Sequence, residues 1–254
     1  MSLPKVIYQD LGRIRYQTAW DYQFETIKKV IDAKRVIRES LESTPSVASS
    51  LAMTNELIFK EKLIEKQINY LLFCEHNPVY TLGKSGSLDN LLLNEEQLAA
   101  KSIEFFKINR GGDITYHGDG QITGYPIFDL DCFFTDVHKY VRSLEEVMIR
   151  TIADYGLEGT RIKDFTGVWL ENGDKKRKIC AIGVHLSRWV TMHGFALNVN
   201  TPLEFFNNII PCGFDDADKT VTSLAAELGR EMDFEEVKTR VKGHFADVFG
   251  FEFV

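Results

Sequence analysis

The chain reads as an α/β protein, and three features carry that reading. Residues 68–75 form a near-continuous apolar run that fits a buried strand. Asn172-Gly173 marks a hairpin followed by further strand-like segments. Long stretches near both ends place apolar residues at helical spacing. The 254 residues suffice to bury a full core, as one large domain or as a domain with an appendage.

From the N-terminus, Val6-Ile7-Tyr8-Gln9 reads as a strand leading through Leu11-Gly12 into a helix. There Trp20, Phe24, Ile27, Ile31 and Leu41 recur at near-helical spacing among Lys28, Lys29, Arg35 and Arg38. Pro45 breaks this helix, and a second, charged helix is expected over residues 54–66. The buried strand at 68–75 ends at His76-Asn77-Pro78, and Val79-Tyr80-Thr81-Leu82-Gly83 resumes extended character. Residues 170–178 read as a hairpin, with strands following at 179–186 and 195–199. Asp233 with Glu236 resembles a capping box, and Val237, Val241, Phe245 and Val248 give the last helix an apolar face. No internal repeat or low-complexity linker marks a domain boundary.

Thirty Lys+Arg against 37 Asp+Glu leave a net charge of −7, which argues against general nucleic-acid binding. No run of about 18 apolar residues exists to cross a membrane, and Met1-Ser2-Leu3-Pro4-Lys5-Val6 lacks a signal core, so a cytoplasmic protein is expected. Cys74, Cys132, Cys180 and Cys212 are far apart, with no Cys-x-x-Cys pair. Free thiols are expected, without a zinc framework, a metal or a cofactor.

Chemistry concentrates in four segments. In Ile210-Pro211-Cys212-Gly213-Phe214, Pro211 biases Ile210 to an extended conformation and Gly213 permits a sharp turn, so Cys212 is presented as a potential nucleophile. Four glycines within Arg110-Gly111-Gly112-Asp113-Ile114-Thr115-Tyr116-His117-Gly118-Asp119-Gly120-Gln121 imply close approach of something to the backbone. The spacing is neither a dinucleotide fingerprint nor a P-loop. In Lys175-Lys176-Arg177-Lys178-Ile179-Cys180-Ala181-Ile182-Gly183, strand alternation puts Lys178 on the apolar face of Cys180, Ile182 and Val184. Desolvation there disfavours the charged amine and makes Lys178 a candidate proton acceptor, whereas Lys175, Lys176 and Arg177 read as solvated surface. Residues 189–199 read as a strand whose small residues Gly194 and Ala196, on either side of Phe195, could form a pocket wall, and His193 joins His117 as an alternative base.

Taken together, these segments and His76-Asn77-Pro78-Val79-Tyr80-Thr81-Leu82-Gly83 resemble, in order and spacing from about residue 8 to 226, the octanoyltransferases of lipoate biosynthesis. The resemblance implies a mixed β-sheet flanked by helices, like the lipoate ligase and biotin ligase catalytic domain, spanning residues 1–254 as a single domain. It implies transfer of an octanoyl or lipoyl group from acyl carrier protein to a lysine of lipoyl domains, those of 2-oxoacid dehydrogenases and the glycine cleavage H protein. Cys212 would be the acyl-accepting nucleophile and Lys178 the partner that lowers its pKa. Residues 110–117, Ala181-Ile182-Gly183 and Gly194-Phe195-Ala196 would line the acyl site. The alternatives are an ATP-dependent lipoate or biotin ligase and a non-catalytic acyl-binding module. Asp119 stands where the family usually has proline, and the helical stretch at about 28–67 is longer than in compact members.

Overall fold

The computed structural model describes residues 2–42, 52–210 and 219–254, so the Pro45 break and the Pro211-Cys212-Gly213 turn lie outside the described residues. Strand β1 (Lys5–Ile14) runs into helix α1 (Tyr16–Glu42), longer than the periodicity alone suggested. Helix α2 (Ala52–Lys66) precedes β2 (Ile68–His76) and β3 (Val79–Leu82), close to the expected bounds. Helix α3 (Glu95–Ala100) starts on a complete capping box: Asn94 accepts from the Gln97 N–H, and the Gln97 side chain accepts from the Asn94 N–H. Then come β4 (Glu104–Lys107), β5 (Ile114–His117), β6 (Gln121–Ile127) and helix α4 (Val137–Ala153). A hairpin series follows, β7 (Thr160–Ile162), β8 (Phe165–Asn172), β9 (Lys175–Ser187) and β10 (Val190–Asn198). The chain closes with β11 (Lys219–Val221), α5 (Leu224–Leu228), α6 (Phe234–Phe249) and β12 (Glu252–Phe253).

Nine of these strands form one mixed sheet in the order β12-β1-β2-β6-β10-β9-β8-β7, with β11 beside β9. β1 pairs in parallel with β2 and β12, while β2, β6, β10, β9 and β8 succeed one another antiparallel. A second sheet, β4-β3-β5, combines parallel and antiparallel pairs. Helices α4 and α6 cover one face of the large sheet through Leu144, Val147, Met148, Val241 and Phe245, packed on Phe73, Ile122, Val168 and Leu197. The other face takes α1 through Ala19, Ile27 and Val30. No helix among the described residues is long and apolar enough to cross a membrane.

Three local readings are corrected. The β8–β9 turn is Gly173-Asp174, because Asn172 already pairs with Lys175, and Gly173 takes the positive φ of +59°. Trp189 belongs to a turn, where Arg188 and Trp189 both sit at positive φ. At α6, Asp233 accepts from the N–H groups of Glu235 and Glu236, but Glu236 bonds Arg240 instead of returning to the cap.

Candidate active site

Strand alternation builds one wall of the site. Gln121, Thr123 and Tyr125 of β6, Gly194, Ala196 and Asn198 of β10, and Ala181 and Gly183 of β9 line one cavity of about 360 Å³. Register places them side by side: Asn198 opposes Gln121, Ala196 lies between Thr123 and Ala181, and Gly194 opposes Gly183. The opposite wall is the glycine loop and β5, through Arg110, Gly112, Asp113, Ile114, Thr115 and His117. Tyr16 of α1, Phe206 and Val221 complete it.

Lys178 lines this cavity and is 6% exposed, its Nζ 4.7 Å from the centre of the Trp169 ring. Its neighbours differ from those that simple alternation predicted. Val168 pairs with Cys180 but Trp169 pairs with Lys178, so β9 carries one extra residue, Ile179, at this point. That slip sends Ile179 and Cys180 together into the α4–α6 core and leaves Lys178 on the face of Ala181 and Gly183. Gly167 faces the slip with φ +127°. A Cβ there would come 2.5 Å from the Cys180 carbonyl oxygen and 3.5 Å from Lys178 Cε.

Among the described residues, Arg110 is held by hydrogen bonds to the backbone and to Thr81. Its guanidinium donates to the carbonyls of Gly111 (3.0 Å) and Thr81 (2.7 Å) and to the Thr81 hydroxyl (3.0 Å). The loop is packed to backbone distance: Gly111 N–H donates to Val184 O at 3.0 Å, and a Cβ on Gly83 would meet the Gly112 carbonyl at 2.3 Å. Asp119, the family's usual proline position, pairs with Arg13 at 2.5 Å on the surface, and Glu75 accepts from the Gly120 N–H.

The histidines are neutral fixtures. His117 Nδ1 donates to Gln121 Oε1 at 2.9 Å, and Gln121 Nε2 donates on to Asn198 Oδ1 and Tyr116 O. Burial, helped by the positive charge of nearby Arg110, pushes His117 well below its ordinary pKa and His193 to about 3. His193 Nε2 donates to Asn109 Oδ1 at 2.8 Å, and its backbone N–H to Gln23 Oε1 at 3.0 Å. Both rings therefore stay neutral near pH 7 and are weak proton acceptors.

Of the sequence-derived residues, Lys178, Arg110, Gly112, Asp113, Ile114, Thr115, His117, Ala181, Ile182, Gly183, Gly194, Phe195 and Ala196 meet at this cavity. Tyr116 does not. β5 alternation turns it away to stack on Phe205, ring centres 4.7 Å apart. Gly111 acts through its bond to β9 rather than as lining. Cys212 lies outside the described residues. Sequence reasoning missed Tyr16, Gln121, Thr123, Tyr125, Asn198 and Gly167. The first of these had no local signal, whereas the polar i, i+2 series Gln121-Thr123-Tyr125 was there to be read.

A cavity of this kind, against a mixed sheet and under a glycine loop, is a site for a small ligand. The profile of the lipoyl protein ligase A/B catalytic domain matches residues 46–246. The octanoyltransferase of Flavobacterium johnsoniae is 54% identical over 253 residues, covering 98% of this chain and 99% of that protein. That of Cytophaga hutchinsonii is 48% identical over 246 residues, covering 96% and 92%. Among solved structures, a bipartite lipoate protein ligase from Thermoplasma acidophilum shares the fold with a TM-score of 0.64 at 13% identity, over 100% of this chain and 86% of that one. A lipoate-protein ligase A bound with ATP gives 0.63 at 12%, over 100% and 88%. The chain belongs to the octanoyltransferase family, and it is an acyltransferase.

Proposed function

We propose that this octanoyltransferase works through a thioester acyl-enzyme on Cys212, with Lys178 exchanging the proton, and that residues 1–254 act as one catalytic domain. The observation that carries the reading is Lys178 buried at one end of a cavity floored by Ala181, Gly183, Gly194 and Ala196. β11, which begins seven positions after Cys212 in the sequence, pairs with Lys176, Arg177 and Lys178, and Val221 lines the same cavity. The Lys178 amine takes the thiol proton of Cys212, and the thiolate attacks the octanoyl thioester of acyl carrier protein. The carrier's thiol leaves with the proton returned from Lys178. The lysine amine of a lipoyl domain then attacks the acyl-enzyme, gives its proton to Lys178, and releases Cys212 as an amide forms. Exchanging a thioester for an amide is downhill, so no nucleotide is consumed.

Six buried methylenes at ~0.8 kcal/mol each contribute about 5 kcal/mol of donor binding, which accounts for a preference for medium chains. The buried thiols of Cys74, Cys132 and Cys180 suit a reducing cytoplasm. Burial pushes all three up, which leaves them poor nucleophiles. Intact mass after incubation with octanoyl carrier protein tests the scheme. One octanoyl adduct, absent in Cys212→Ala and sensitive to hydroxylamine, is the expected result. An adduct that survives Cys212→Ala, or transfer that requires ATP, would overturn it.

A further inference from the structure

We infer that Glu145, a residue outside the cavity, is a positioning residue for Lys178, an inference that rests on the proton-transfer role proposed above. Glu145 lies on α4 within the apolar layer of Leu144, Val147 and Met148, and its side chain has no solvent exposure. A carboxylate in such a place is costly unless it is paired and fully hydrogen-bonded. Here Oε2 accepts from Arg142 Nη1 at 2.6 Å and Arg161 Nε at 3.1 Å, while Oε1 accepts from the backbone N–H of Gly167 at 3.1 Å. For stability alone an apolar side chain would serve about as well. The carboxylate does something an apolar group cannot. It anchors the backbone of Gly167.

Gly167 is the residue on β8 that faces the one-residue slip in β9. Its φ of +127° suits glycine, and a Cβ would collide with the Cys180 carbonyl and touch Lys178 Cε. Two residues on, Trp169 pairs with Lys178 and sets its ring 4.7 Å from Nζ. The path from Glu145 to the amine is therefore short and made of contacts: carboxylate to Gly167 N–H, Gly167 to the slipped strand, Trp169 to Lys178. The slip is what turns Lys178 into the cavity. A side chain that holds β8 against it determines where the amine points.

The test compares Glu145→Ala, Gly167→Ala, Lys178→Arg and the double variant Glu145→Ala/Lys178→Arg, assayed with octanoyl carrier protein below every variant's melting temperature. Glu145→Ala and Gly167→Ala are each expected to lower kcat at least tenfold with KM for the donor within twofold of wild type. The double variant is expected to be no slower than Lys178→Arg alone, because a misplaced amine and an absent base are the same defect. Retention of wild-type kcat by Glu145→Ala would overturn the inference, as would losses that multiply in the double variant. Where Glu145→Ala does not fold, Gly167→Ala decides, since it leaves the carboxylate and both arginines in place. A fully active Lys178→Arg would refute the base itself, a failure visible in that single variant, and the positioning role would fall with it.

Discussion

Ala196→Val should shift the enzyme from eight-carbon toward six-carbon acyl groups. Ala196 is 3% exposed, and its side chain reaches the cavity from the middle of the wall, between Thr123 and Ala181. Valine adds two methyl-sized groups there and suits a strand, so the backbone has no reason to move. Within about 360 Å³, those groups take the place of roughly two chain methylenes. At ~0.8 kcal/mol per methylene the loss is about 1.6 kcal/mol, or roughly 15-fold in kcat/KM for the octanoyl donor. A hexanoyl donor is two methylenes shorter and should lose no more than about threefold. Steady-state assays with the two carrier-bound donors give the ratio directly, and circular dichroism gives the melting temperature. An equal loss for both donors at unchanged stability would show that the acyl chain does not pass Ala196.

Three further outcomes follow from the same geometry. Gly183→Ala brings a Cβ to 2.9 Å from both Arg110 Cδ and the Gly111 carbonyl, so kcat/KM should fall tenfold or more while urea unfolding changes by only about 1–3 kcal/mol. In the basic run, Arg177 is already committed to Glu227 through two hydrogen bonds of 2.7 and 3.0 Å. Arg177→Glu should therefore lower the melting temperature, whereas Lys175→Glu, at an exposed position, should raise KM for carrier-bound donor at low salt and lose that effect at high salt. Acid should destabilise the fold early. Burial holds His76 at about 4, His193 at about 3 and His117 well below its ordinary value. The unfolded chain therefore takes up these protons first, and the stability the neutral rings contribute is complete above about 6.5 and lost as pH falls. Asp129, raised by burial to about 6, acts in the opposite sense and offsets one of the three. A stability that falls as the pH is lowered from 6 to 5 is expected from urea unfolding, and a flat or rising profile there would contradict it.

How much of this was legible in the sequence depends on whether a feature is local. The run at 68–75 and the apolar faces of the first and last helices are one-dimensional patterns, and β2, α1 and α6 appear where those patterns stand. The glycine loop at 110–112 could be recognised as a place of close approach because glycine has few other uses there. Its partner was not legible, because the Val184 carbonyl that receives the Gly111 N–H lies more than seventy residues further along. Tyr16 illustrates the same limit. It reads as the start of a helix, yet it stacks on His117 and lines the cavity only because α1 folds back over the large sheet.

Lys178 is the more instructive case, because the residue does line the cavity although the alternation argument that singled it out fails. Alternation by two assigned it to the face of Cys180, and that face turns out to be the α4–α6 core. One extra residue in β9 reverses the parity from Lys178 onward, as a single-residue slip must when side chains alternate with a period of two. Nothing in Lys-Ile-Cys-Ala announces such a slip. Its cause sits on the neighbouring strand, in the positive φ of Gly167, and one helix further away, in the buried carboxylate that holds Gly167 N–H. The catalytic candidate is thus oriented by two residues that carry no chemistry of their own, and reading it from sequence would have required knowing the strand pairing first.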